Sequence, residues 1–254
     1  MPTALFLSPH LDDVVFSCGG LAALLASAGW HTVLATPFTR SVVPASGFAL
    51  ACQLDKGLPP EADYMALRRA EDRAAATIIG FHDVRWLDLL EAPHRGYDSA
   101  PALFGPTGEH DTVLAELTGR FAALATEFTL DLVLAPQGLG NHVDHQHVIA
   151  AAGSSFPADS IAYYRDTPYA IRQPGAAPLA SVPSGPPSTI QIGAVLDRKI
   201  AAAQAYASQI GFQFGGPAAL GAALRTFALN EGHGTAAETF RGCPVANLLP
   251  SALD

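Results

Sequence analysis

Charge is scarce in this sequence. Asp, Glu, Lys and Arg together make up 15% of its 254 residues, and acidic residues outnumber basic ones 23 to 14. With that balance and no run of Lys or Arg, the electrostatic footprint of a nucleic-acid-binding protein is missing. Cysteine is rarer still: Cys18, Cys52 and Cys243 are the only three, and no two form a Cys-x-x-Cys pair. An odd, scattered set argues against a disulfide scaffold and for a reducing, cytoplasmic setting. No apolar run reaches the roughly 18 residues of a membrane-crossing helix, so no membrane partner is expected. The first apolar run has no basic segment before it and leads straight into polar residues, unlike a secretory leader. A Gly-x-Gly-x-x-Gly dinucleotide fingerprint is absent as well. Apolar side chains, by contrast, are plentiful at 49%. They can fill the core of one large domain or two small ones. No internal repeat or linker-like boundary divides the chain, so residues 1–254 read as one domain.

Short apolar runs alternate with helical patterns. Ala4–Leu7 reads as a buried strand, Asp13–Ala28 as a helix stopped by Gly29, and residues 31–36 as a second strand. Residues 37–60 are punctuated by Pro and Gly and read as a loop. Asp63–Ile79 reads as a helix with Asp63 as N-cap, an apolar face of Leu67, Ala70, Ala74 and Ile78, and Gly80 at its end. Val84–Leu87 and Leu130–Ala135 read as strands, with a helix over Thr112–Glu127 between them. The second half is less regular. A helix is expected over His142–Gly153, strands over Ser160–Tyr164 and Thr189–Ile192, a surface loop over 173–188, and helices over Ala194–Ser208 and Pro217–Leu229. The alternation predicts an α/β, Rossmann-like three-layer sandwich with a mainly parallel sheet. In such folds ligands bind beyond the carboxyl ends of the strands.

Two polar clusters fall at such ends. Pro9-His10-Leu11-Asp12-Asp13 follows the first strand, and Asn141-His142-Val143-Asp144-His145 follows the Leu130–Ala135 strand. A catalytic zinc site uses three protein ligands plus water. His10 and Asp13, three apart on a strand-to-helix turn, can aim at one point. Asp12 between them points elsewhere and is placed to take a proton from water activated at the metal. Either His142 or His145 completes a His-Asp-His set; the other is left to act as an acid or as a donor to a developing oxyanion. Asp144 is expected to hydrogen-bond that free imidazole and hold it protonated. A lone Asp-Asp pair after a strand is ordinarily a helix cap, and a lone His-x-x-His is ordinarily no metal site; their joint position at strand ends points to a site. His31, His82, His94 and His233 read as structural or exposed. His147 lies roughly 200° around the helix from His145. Cys18-Gly19-Gly20 reads as a close helix–sheet contact.

Pro-His-Leu-Asp-Asp followed by Ser17-Cys18-Gly19-Gly20 resembles the opening motif of the LmbE/PIG-L family of zinc-dependent N-deacetylases. His142-Val143-Asp144-His145 resembles the family's second signature. Weaker echoes are Arg68-Arg69-Ala70-Glu71, Tyr163-Tyr164, Lys199 and Tyr206-Ala207-Ser208-Gln209. The resemblance implies His10, Asp13 and His145 as zinc ligands, Asp12 as general base, and His142 as the electrostatic or acid partner tuned by Asp144. Iron(II) suits the same donors. Val14 stands where many members carry an acidic residue, which implies altered surroundings rather than a lost ligand. Arg68 is expected either to contact the sugar or to pair with Glu71. The implied activity is removal of an acetyl group from an N-acetylglucosamine-type small-molecule conjugate; a homo-oligomer is compatible with it. Another metal-dependent amide or ester hydrolase would use the same site. A non-catalytic sugar-binding protein would share the fold but has no use for Asp12 beside a metal.

Overall fold

The first apolar run forms strand β1 (Thr3–Leu7), buried along its whole length. In the computed structural model, which describes residues 1–245, it is an inner strand of the sheet. Residues 246–254 of the expected domain lie outside the described residues. After β1 come α1 (Asp13–Ser27), β2 (His31–Phe38), α2 (Gly47–Leu54), α3 (Tyr64–Ile79), β3 (Asp83–Leu89), α4 (Ala100–Leu103) and α5 (Val113–Glu127). Then follow β4 (Leu132–Pro136), α6 (Val143–Ser155), β5 (Ile161–Tyr164), α7 (Tyr169–Arg172), β6 (Ser188–Gln191), α8 (Leu196–Ala203), α9 (Ala207–Phe214), α10 (Pro217–Glu231) and β7 (Ala237–Gly242).

These strands make one seven-stranded sheet in the order β3-β2-β1-β4-β5-β7-β6. Strands β3, β2, β1, β4 and β5 run parallel, and β7 is antiparallel to both β5 and β6. The fold is thus α/β with a mostly parallel sheet, as expected. Successive side chains of a strand point to opposite faces, so each apolar run serves two cores. Ala4, Phe6, Leu132 and Leu134 pack with α1, α3, α8 and α10. Leu5, Leu7, Val133 and Ala135 pack with α5 and α6. Strand order reverses direction between β1 and β4, and their carboxyl ends open the crevice where such folds bind ligands.

Four expectations need correction. The stretch 37–60 is not all loop, because it contains α2. The helix expected over Ala194–Ser208 is broken into α8 and α9; the Glu71 carboxylate takes the Ser208 N–H and hydroxyl, each at 2.7 Å, and so starts a new helix there. Strand β7 went unread because it carries no apolar run. The buried face of α3 is also not the apolar one. Leu67 and Ile78 are exposed, as are Ala70 and Ala74, while Met65, Arg68, Asp72, Ala75, Ala76 and Ile79 are buried. The polar pair on that face is satisfied: Asp72 takes hydrogen bonds from Trp86 Nε1 at 2.9 Å and the Tyr206 hydroxyl at 2.8 Å.

Helix α1 is two helices in one. Its backbone leaves helical geometry at Cys18 (φ −125°, ψ 25°). The freed amides of Gly20 and Leu21 donate to Glu238 of β7 at 2.9 and 2.8 Å, and Lys199 Nζ bridges Glu238 and the Ser17 carbonyl at 2.8 and 3.0 Å. A Cβ on Gly20 would sit 2.8 Å from both Glu238 and Ile192, so the small-residue patch does mark a close approach.

Candidate metal centre and active site

The turn after β1 is built by short polar side chains. Ser8 Oγ donates to the His10 carbonyl at 2.6 Å and accepts from Val14 N–H at 3.1 Å; Asp13 Oδ2 accepts from the His10 N–H at 2.7 Å. Val14 itself lies in the core. Asp12 takes φ 158°, ψ −29°, outside the ordinary regions, a strain of order 1–3 kcal/mol. Its carboxylate lies 3.5 Å from Arg68 and accepts from Gln213 Nε2 at 3.1 Å. After β4, Gly140 has φ +84°, and a Cβ there would meet the Tyr169 ring at 2.5 Å. That tight passage delivers His142 as the N-cap of α6, with Asp144 and His145 in its first turn.

The two turns meet. Ligand atoms of His10, Asp13 and His145 lie within 4.8 Å of one another. His10 Nδ1 and His145 Nε2 are each 3.3 Å from Asp13 Oδ2. The far nitrogen of each ring is fixed by a carboxylate: His10 Nε2 by Asp144 at 2.9 Å, His145 Nδ1 by Asp166 at 2.6 Å. Metal-binding imidazoles are oriented in this way. His145 Nε2 is buried and has no hydrogen-bond partner, which is costly unless a further group satisfies it. Burial pulls His10 down, but Asp13 and Asp144 outweigh it and push the imidazole up to about 10. His145 is likewise pushed up to about 9 by Asp13 and Asp166 against burial. Such a cluster presents concentrated negative potential and open N and O donors, and so fits a divalent cation. His10, His142 and Asp144 form a second close group. Its atoms are already engaged with one another, with Arg95 and with the backbone.

The expected link between Asp144 and His142 needs correction. The Asp144 carboxylate turns to His10, to the Ala92 N–H at 3.1 Å and to Arg95 at 2.7 Å. What His142 receives from Asp144 is its backbone N–H, donated to Nδ1 at 3.2 Å. Residues two apart on a helix do not face each other. His142 is therefore neutral, pushed down to about 3 by burial and by the neighbouring His10. Because Nδ1 accepts, the ring proton sits on Nε2. Asp12 is pushed up by burial against the opposing pull of Arg68, to about 7.

Above the site lies a cavity of about 310 Å³, lined by His10, Asp12, Asp13, Arg68, His142 and Tyr169 at its floor. Phe48, Leu103, Phe104 and Phe212 give it an apolar wall, and His94, read from sequence as structural, lines it too. Arg68 is buried there and does not pair with Glu71; it reaches Glu91 at 2.7 Å and the Leu11 carbonyl at 3.2 Å. His147 stays away from the cluster, bonded to Asp111 at 2.9 Å. His31 pairs with Asp83, and His82 meets Thr32.

The sequence profile of the PIG-L family, described as GlcNAc-PI de-N-acetylase, matches residues 5–155. The chain belongs to that family. A relative, 2'-N-acetylparomamine deacetylase of Streptomyces fradiae, is 33% identical over 220 residues, 81% of this chain and 72% of the relative. A zinc-inhibited form of the teicoplanin deacetylase Orf2 superposes with a TM-score of 0.79 at 26% identity, covering 94% of this chain and 97% of its own. The deacetylase Dbv21, which acts on the A40926 pseudoaglycone, superposes with a TM-score of 0.79 at 28% identity, covering 94% and 96%. No helix among the described residues is long and apolar enough to cross a membrane.

Sequence reasoning missed Glu91, Arg95 and Asp166. Glu91 lies just past the carboxyl end of β3 and Asp166 just past that of β5. The strand-end rule that found the two clusters, applied to every parallel strand, reaches both. Arg95 has no comparable signal.

Proposed function

We propose that this protein is a metal-dependent N-deacetylase that releases acetate from an N-acetylated amino sugar in a small-molecule conjugate. The observation that carries the proposal is the convergence of His10 Nδ1, Asp13 and the unpartnered His145 Nε2 beside the buried carboxyl of Asp12. His10, Asp13 and His145 would hold one divalent ion. Two imidazoles and a carboxylate suit zinc, and iron(II) is the runner-up. The ion, when bound, makes water a nucleophile near neutral pH and polarises the amide carbonyl.

The protein's own groups do the rest. Asp12, with a proton affinity near neutrality, takes the proton from water as it adds to the carbonyl carbon. The C–N bond then breaks, and Asp12 returns that proton to the leaving nitrogen, giving acetate and the amine. His142 donates its Nε2–H to the carbonyl oxygen as negative charge grows there; a neutral imidazole suffices for that role. Asp144 acts on both sides, through its N–H on His142 and through its carboxylate on His10. Arg68 balances Asp12 and faces the cavity, where it can also meet a sugar hydroxyl. The apolar wall of Phe48, Leu103 and Phe104 offers a place for the non-sugar part of the conjugate. All three cysteines are free thiols, in keeping with a reducing cytoplasm.

The test is acetate release from a panel of N-acetylglucosamine conjugates by protein reconstituted with zinc or iron(II). Asp12→Asn should keep the metal and lose activity by a factor of about 10²–10⁴. Full turnover by a metal-loaded Asp12→Asn protein would remove Asp12 from the mechanism.

A further inference from the structure

The two carboxylates behind the candidate metal-binding histidines are held in different ways. Asp166 Oδ2, behind His145, accepts the backbone N–H groups of Gln137 at 2.9 Å and Leu139 at 3.2 Å. Main-chain donors need no further support. Asp144, behind His10, is fully buried and has one such donor, the Ala92 N–H at 3.1 Å. Its other oxygen depends on a side chain, Arg95 Nη2 at 2.7 Å.

Arg95 is fixed in turn. Its Nε and Nη2 grip Asp111 at 3.1 and 2.9 Å, Nη1 donates to the Leu90 carbonyl, and the guanidinium lies 4.9 Å from the Phe38 ring centre. The Asp111 side chain is 1% exposed and is held by the Val113 N–H at 3.2 Å and by His147 Nε2 at 2.9 Å. His147 belongs to α6, the helix that carries Asp144 and His145. The contacts close a ring that leaves α6 at Asp144, runs through Arg95 and Asp111, and returns to α6 at His147. Arg95 does not line the cavity above the site; its contacts there run through Asp144.

We infer that Arg95 is a positioning residue for metal capture: it keeps the Asp144 carboxylate on His10 Nε2–H, so that His10 Nδ1 faces Asp13 and the ion. A planar guanidinium can hold two carboxylates at fixed angles at once, which an ammonium cannot. Without it, Asp144 keeps one backbone donor and can rotate, and His10 loses the partner that sets its ring. Partners behind metal ligands of this kind are worth about 10–100-fold in metal affinity.

The inference rests on the metal-centre reading above, and the experiment separates the two. Zinc affinity is measured by competition with a chromophoric chelator for the wild type, Arg95→Met, Asp144→Asn and the double variant, with circular dichroism and urea midpoints of the metal-free proteins as folding controls. Arg95→Met should fold and bind zinc about 10–100-fold more weakly. The double variant should lose less than the product of the two single losses, since both remove one interaction. A folded Arg95→Met protein within about two-fold of wild-type affinity overturns the inference, as that is well inside the range such partners control. Should Arg95→Met not fold, the isosteric Asp111→Asn decides: a loss of about three-fold or more supports the ring, and wild-type affinity overturns it. A wild-type protein that takes up no divalent ion overturns the metal centre, and this inference with it. Zinc uptake by the wild type and equally by the variants removes Arg95 alone.

Discussion

Asp12 sits between opposing influences. Burial favours its neutral form, and Arg68 at 3.5 Å favours the charged one. On the proposed mechanism the base acts as a carboxylate, so activity should be present above its pKa and be lost as pH falls through it. Arg68→Met removes the cation and should move the acid limb of kcat/KM to higher pH by about one unit or more. A bound dication pulls the limb down in both proteins but leaves the direction of the difference unchanged. Paired pH–rate profiles measure it; coincident acid limbs would show that Arg68 does not govern Asp12. At this scale the sequence was informative where two short motifs fell at strand ends, and His10, Asp12, Asp13, His142 and His145 do meet. It misled at Asp144, because the helical spacing that brings His145 inward turns the Asp144 side chain away from His142. Arg95 arrives from a connection whose path no local pattern encodes.

Among elements, α3 shows how apolar periodicity fails. Its Leu67, Ala70, Ala74 and Ile78 stripe faces outward, because the inward stripe carries Arg68 and Asp72, whose polar partners come from remote segments. The break between α8 and α9 has the same origin, since a cap supplied by Glu71 from α3 is invisible to a local reading. Strong periodic elements such as α5 and β1 were legible because packing and local pattern agree there. The interruption of α1 supplies a stability prediction. Glu238→Ala would leave buried Lys199 unpaired and two amides uncapped. Removing one partner of a buried pair costs about 3–5 kcal/mol, so the urea midpoint should fall sharply while Glu238→Gln, which still accepts hydrogen bonds, loses less. Equal midpoints for the three proteins would show that the ion pair and its caps contribute nothing to stability.

At the scale of the whole molecule, most of the parallel sheet was legible because β1, β2, β4 and β5 are buried on both faces and read as largely apolar runs. Strand β7 (Ala237–Gly242) was not, because Ala-Glu-Thr-Phe-Arg-Gly has neither an apolar run nor a strict alternation. The two cores cover both faces of the sheet without calling on His10, Asp13 or His145, the proposed metal ligands. The metal-stripped protein should therefore stay folded. Zinc at about 100 times its Kd adds about 2.7 kcal/mol, which for a chain of this size raises Tm by roughly 5–11 °C at about 2–4 °C per kcal/mol. A chelated protein without a cooperative transition would instead make the ion part of the fold. The strut between Glu238 and α1 has a consequence in time. Translation delivers His10, Asp13 and His145 in the first 145 residues, but the helix that begins with Asp13 is completed by a carboxylate from residue 238. Over the roughly 90 residues made between His145 and Glu238, the growing chain holds all three side chains and lacks the carboxylate that caps the second half of α1.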